Sequence, residues 1–169
     1  LMKTKFAIVC STFNEPYVGA LLDHALAGLA PHVCDVVRVP GSYEIPLQVQ
    51  RLAKTRKYAA VLALGLVWQG KTLHATEILR AVTEALMRIS RKYDVPVIHE
   101  VLAIRTEAEA KQRTMGDKLN RGAEAAEAAL AVVSIKPQRV KRAAKKPKVS
   151  TAKPARSKAR HRSGSNSAN

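Results

Sequence analysis

The sequence predicts an α/β fold, a three-layer αβα sandwich around a four-stranded, mostly parallel, doubly wound sheet. Three observations lead there. Four runs have strand length, and two of them, 6–10 and 58–64, are apolar throughout, as strands buried on both faces require. Segments whose apolar residues recur at helical spacing follow these runs, so strand and helix alternate. Pro40-Gly41 breaks the chain after the second strand, and polar or glycine-containing loops follow the first and third.

The first strand is Phe6-Ala7-Ile8-Val9-Cys10. It ends in the polar stretch 11–16, which has the character of a helix start. Residues 18–29 then place Leu21, Leu22, Ala25, Leu26 and Leu29 on one helical face. Residues 35–39 form the second strand, broken by Pro40-Gly41. Residues 45–53 read as a helix, with Pro46 tolerated in its first turn. The third strand is 58–64, and 65–72 reads as a loop. Residues 74–93 carry the apolar face Ile78, Val82, Leu86, Ile89 and Tyr93. The fourth strand, 95–102, is entered through Pro96. Two helical stretches follow, 107–113 and 120–133, the second with Asn120 as its N-cap. Right-handed crossovers make this a layer of the flavodoxin-like kind. Ligands in such sheets bind beyond the carboxyl ends of the strands, so the four loops there are the places to look for chemistry.

Charge is unevenly spread along the 169 residues. Residues 136–169 hold 12 of the 29 Lys and Arg and none of the 13 Asp and Glu, leaving 17 basic against 13 acidic side chains in 1–135. The segment 136–169 is rich in Lys, Arg, Ala, Pro and Ser and nearly free of large apolar side chains. It cannot bury enough surface to offset its ordering entropy, so it reads as a disordered basic tail on a folded domain spanning 1–135. Cys10 and Cys34 lie at or near apolar runs without metal-binding spacing and read as buried reduced thiols, which fits a cytoplasmic protein. No signal peptide is visible, because the first apolar run is short and strand-like. No stretch approaches the ~18 apolar residues of a bilayer span. Leu1 ahead of Met2 is an unusual native start and points to an upstream or misassigned codon.

Each loop admits a bland reading and a chemical one. Phe13, beside Asn14 after the first strand, is either rim packing or a stacking platform. In loop two, Ser42, Tyr43 and Glu44 lead into a helix whose free N–H groups bind a ligand or are simply capped by Ser42 or Glu44. In loop three, Gly70 lets the chain pass near a ligand. Lys71 and Thr72 add a cation and a hydroxyl at a helix N-terminus, a natural place for an anion. This signal is weaker than a P-loop, whose spacing is absent. His74 is either a surface histidine or a general acid and base. His99 and Glu100 belong to loop four, and Arg113 further on is either a solvated charge or a fork for phosphate.

Taken together the loops resemble the lumazine synthase family. The resemblance rests on Phe13-Asn14-Glu15, on Arg38-Val39-Pro40-Gly41-Ser42-Tyr43-Glu44-Ile45-Pro46, and on Gly65-Leu66-Val67-Trp68-Gln69-Gly70-Lys71-Thr72-Leu73-His74. Tyr93-Asp94-Val95-Pro96-Val97-Ile98 and Asn120-Arg121-Gly122-Ala123-Glu124-Ala125-Ala126 extend it over roughly residues 5–135. It implies condensation of 5-amino-6-(D-ribitylamino)uracil with 3,4-dihydroxy-2-butanone 4-phosphate to 6,7-dimethyl-8-ribityllumazine, with loss of phosphate and water and without metal or organic cofactor. By the same resemblance His74 transfers protons, and Phe13 stacks on the pyrimidine. Ser42, Tyr43 and Glu44 hold the ribityl chain, and Leu66, Val67 and Trp68 line the ring pocket. Lys71, Thr72 and Arg113 meet the phosphate. Arg113 and His99, which joins the ring pocket, come from a neighbouring subunit of a homopentamer or an icosahedral cage of sixty chains. The chain departs from the family pattern at Thr12, Lys71, Ala75 and His99.

Two other classes compete. A basic tail binds polyanions, nucleic acid among them, through counterion release, non-specifically because no aromatic residue interrupts 136–169. The tail is otherwise a solubilising or cargo-attracting appendage, and the assembly itself could act chiefly as a scaffold.

Overall fold

A computed structural model describes residues 4–136. The expected disorder of the tail concerns residues that, apart from Lys136, lie outside this range. The described chain runs β1 (Lys5–Ser11), α1 (Glu15–Leu29), β2 (Val33–Val39), a 3-10 turn (Ser42–Glu44), α2 (Ile45–Thr55), β3 (Ala60–Trp68), α3 (His74–Tyr93), β4 (Val97–Ile104), α4 (Glu107–Thr114) and α5 (Arg121–Ser134). The four strands form one sheet in the order β2-β1-β3-β4. Every pairing is parallel, so the expected "mostly parallel" sheet is parallel throughout.

The consecutive apolar residues of β1 and β3 divide between the two faces, as the period of two in a strand demands. Phe6, Ile8, Cys10, Leu62, Leu64 and Leu66 pack with Val18, Leu21, Ala25 and Leu29 of α1, with Ala110 of α4 and with alanines of α5. Ala7, Val9, Val61 and Ala63 pack on the other side with Ile45 and Val49 of α2 and Val82, Leu86 and Ile89 of α3. With so few aromatic residues, helices must approach closely to exclude space. A Cβ on Gly122 of α5 would lie 2.3 Å from the Leu21 carbonyl oxygen of α1, so this contact admits only glycine. Asn120 caps α5 as expected, its side chain accepting from the N–H groups of Gly122 and Ala123.

The structure corrects several boundaries. Residues 65–68, expected in a loop, continue β3, because Gly65 through Trp68 pair with Val101 through Ile104 of β4. Gly65 is there for room rather than for a break: a Cβ would sit 2.7 Å from Ser42 Oγ and 3.1 Å from Ile45 Cδ1. β4 begins at Val97, not at 95, and runs to Ile104. Pro96 has no N–H to offer the ladder, although its carbonyl accepts from Val61 N–H at 2.9 Å. Tyr58 and Ala59 stay outside β3, and β2 starts two residues early at Val33. Cys10 is fully buried as expected, whereas Cys34 on the edge strand is only half-buried. Its expected burial needed a second covering layer that an edge strand lacks.

Candidate active site

After β1 the chain moves to β2 on one side, and after β3 to β4 on the other, so the loops part between β1 and β3. Such a switch point opens a crevice at the carboxyl ends of the strands. The loops there are tied together by backbone: Thr12 N–H donates to the Val39 carbonyl at 2.7 Å, and Phe13 N–H to the Pro40 carbonyl at 3.0 Å. Asn14 adds the third loop. Its Nδ2 donates to the Leu66 carbonyl at 2.9 Å, and its Oδ1 accepts from Trp68 Nε1 at 3.0 Å. With its amide so engaged, Asn14 does not cap α1 through its side chain. Its backbone takes the left-handed conformation, φ 63°, that asparagine tolerates better than most residues. Trp68 also meets the edge of Tyr17, with ring centroids 5.7 Å apart.

The result is a cavity of about 270 Å³ lined by Phe13, Ser42, Tyr43, Glu44, Leu66, Val67, Trp68 and His74, with Ala75 and Ile78 of α3 opposite. Eight of the residues singled out in the sequence therefore line one cavity. Glu44 turns back to accept the Gly41 N–H at 2.9 Å, which is the capping role the bland reading gave it. Ser42 is buried, whereas Phe13 and Tyr43 are 68% and 64% exposed, a large apolar surface to leave open at a pocket mouth. His74 is the first residue of α3 and is exposed. No side chain caps that helix, so its first N–H groups point outward as free donors. Lys71 and Thr72 are exposed in the turn just before it and do not line the cavity.

His99 and Arg113 are elsewhere. They line a second cavity of about 300 Å³ built by β4, α4 and α5, together with Glu100, Glu109 and Arg121. His99 pairs in register with Ala63, so its ring lies on the α2–α3 side of the sheet. Its Nδ1 accepts from Val101 N–H at 3.3 Å, which leaves Nε2 to donate to Thr83 Oγ1 at 2.9 Å. Burial holds its pKa below the usual histidine value. Glu100, next along the strand, lies on the opposite face. Burial pushes its carboxyl up to about 7, against the pull of Arg121 and Arg113. Sequence reading noticed Glu100 but gave it no role, and it passed over Arg121 and the bridging amide of Asn14. Nothing in the local pattern marks these residues, because their partners are far along the chain.

A parallel, doubly wound α/β domain with an aromatic-walled pocket at its switch point is a small-molecule-binding protein of the open-sheet class. Residues 3–137 match the family model described as 6,7-dimethyl-8-ribityllumazine synthase. Proteins of that name from Xylella fastidiosa and Stenotrophomonas maltophilia are each 39% identical over 136 residues, covering 78% of this chain and 88% of theirs. One from Coxiella burnetii is 36% identical over 136 residues, covering 78% of this chain and 90% of its own. The chain belongs to the 6,7-dimethyl-8-ribityllumazine synthase family. Among the described residues no helix is long and apolar enough to cross a membrane.

Proposed function

We propose that this protein joins 5-amino-6-(D-ribitylamino)uracil to 3,4-dihydroxy-2-butanone 4-phosphate, giving 6,7-dimethyl-8-ribityllumazine, phosphate and water, at a site completed by a second copy of the chain. The observation that carries the reading is the cavity in which Phe13, Tyr43 and Trp68 face the first turn of α3 with His74 in the wall. A flat pyrimidine fits an aromatic-walled slot, and its ribityl hydroxyls find Ser42, Tyr43 and Glu44 at the rim. The aryl amine attacks the ketone and water leaves, phosphate is eliminated, and the ribitylamino nitrogen closes the ring onto the new carbonyl with loss of a second water. His74, exposed at the helix start, moves the protons between these steps. Lys71, Thr72 and the free N–H groups of α3 meet the phosphate from one copy, and Arg113 from the next, so positive charge gathers where the leaving group departs. His99 of the neighbouring copy closes the ring pocket. Much of the rate then comes from holding two substrates face to face.

Two facts support a shared site. No lysine or arginine lines the apolar cavity, and no Phe, Tyr or Trp lines the cavity that holds Arg113. A homopentamer, alone or as part of a closed cage, brings such halves together around a ring. Light scattering of the purified protein measures which assembly forms. Residues 1–135 are the catalytic domain. The tail 136–169 adds a weak, salt-sensitive contact with polyanions, and deletion of 137–169 leaves synthesis intact. The test of the reaction is direct. Assembled protein given both substrates yields a fluorescent lumazine and one phosphate per product. Folded, assembled protein that makes neither contradicts the reading.

A further inference from the structure

The cavity between β4, α4 and α5 has a charge balance that an incoming oxyanion must disturb. Register places Glu100 opposite Leu64, on the face covered by α1, α4 and α5. Facing its carboxyl are Arg121 and Glu124 from α5 and Arg113 and Glu109 from α4; its β3 neighbour Leu64 is apolar. His99, adjacent on β4, turns away to Thr83. The other two carboxylates are occupied. Glu124 binds Arg121 Nη1 at 2.5 Å, and Glu109 accepts the Arg105 N–H at 3.1 Å. Glu100 reaches Arg121 Nε only at 3.9 Å, too far for a hydrogen bond, and is 15% exposed. The Nε–H of Arg121 is buried without a hydrogen-bond partner among the described residues. A buried guanidinium N–H left unmatched, in a cavity of about 300 Å³ beside a second guanidinium, calls for an acceptor that the protein itself does not supply.

We propose that Glu100 governs occupancy of this cavity by an oxyanion: it takes up a proton as a phosphate or sulfate group settles between Arg113 and Arg121, and releases it as the anion leaves. The inference rests on the proposed reading only in that the anion is then the phosphate of the keto-phosphate substrate or of the product. The carboxyl is the one acid in the cavity free to give up its charge, and burial already brings its titration to about 7. An arriving dianion repels the ionised form and selects the neutral one. The neutral acid also gains an O–H able to donate to the anion. Affinity must then fall as pH rises through neutrality, since the proton has to be supplied to a carboxylate that holds it less often.

Sulfate is the probe, because it does not itself titrate near neutral pH. Calorimetry on the full-length assembled protein, in two buffers of different ionisation enthalpy, counts protons taken up per sulfate bound. Wild type takes up a substantial fraction of one proton at pH 7.5, and its sulfate affinity falls roughly tenfold from pH 6 to pH 8. In Glu100→Gln the uptake disappears and the affinity changes by less than about twofold over the same range, while Arg113→Ala loses sulfate at both pH values. Wild-type protein that binds no sulfate, binds it without proton uptake, or keeps its pH dependence in Glu100→Gln overturns the proposal. The wild-type proton count stands even if the variant fails to fold. Proton-linked sulfate binding without lumazine formation sinks the enzymatic reading alone; lumazine formation without the linkage sinks this inference alone.

Discussion

The cavity at the ends of β1, β2 and β3 is walled by Phe13, Tyr43, Leu66, Val67 and Trp68, whereas the one between β4, α4 and α5 is walled by Glu100, Glu109, Arg113 and Arg121. The first is shaped by backbone ties between loops and offers apolar area with one imidazole. The second is shaped by strand and helix packing and offers fixed charge with little apolar cover. A phosphorylated substrate and a flat heterocycle need both kinds of surface. Each chain thus carries two unlike surfaces, which is why the proposed reaction calls for a contact between copies.

The largest expected effect lies in the apolar half. His74→Ala lowers kcat by about 10²-fold to 10⁴-fold with the assembly intact, the usual range for general acid–base help. Steady-state kinetics beside light scattering checks this, and unchanged turnover removes His74 from proton transfer. In the charged half, Arg113→Ala raises KM for the keto-phosphate by roughly tenfold to a hundredfold, the size of a lost charge-assisted hydrogen bond, and leaves KM for the pyrimidine nearly unchanged. Equal rises for both substrates would erase the division between the halves. Asn14→Ala removes both bonds that tie β1's loop to β3 and leaves Trp68 Nε1 without its acceptor. It lowers stability by about 1–3 kcal/mol and weakens pyrimidine binding more than keto-phosphate binding, measured by thermal unfolding and by KM for each substrate. The smallest effect concerns Glu100. Its carboxyl is raised from 4.5 to about 7 by burial, so the stability it contributes is present below pH 4.5 and lost as pH rises through about 7. Glu100→Gln therefore raises the unfolding temperature relative to wild type at pH 8 but not at pH 4.5. Water at the cavity mouth limits the gain to the order of 1 kcal/mol.

Much of the fold was legible because its rules are local. Consecutive apolar residues in 6–10 and 58–64 announce strands covered on both sides, and the spacing from Ile78 to Tyr93 announces α3 to the residue. The apolar cavity was nearly as legible, since Phe13, Ser42, Tyr43 and Glu44 lie just after strands and His74 opens the helix after β3. What escaped depends on partners distant in sequence. Gly65 reads as the start of a loop until Ser42 and Ile45 are seen pressing on it. Asn14 reads as a turn residue until its amide is found on Leu66 and Trp68. Glu100 and Arg121 have no role in the sequence pattern, because only the docking of α5 against β4 brings them to one cavity.

The claim that two copies share one site is tested most directly by mixing defects. His74→Ala and Arg113→Ala chains, each nearly inactive alone, are co-assembled in equal amounts and assayed at saturating pyrimidine and wild-type levels of keto-phosphate. If the imidazole of one copy works with the guanidinium of the next, roughly a quarter of the junctions in a randomly mixed ring carry both intact residues, and activity returns to about that share of wild type. Activity that stays at the sum of the two parents would place both residues in the same chain's site and contradict the account.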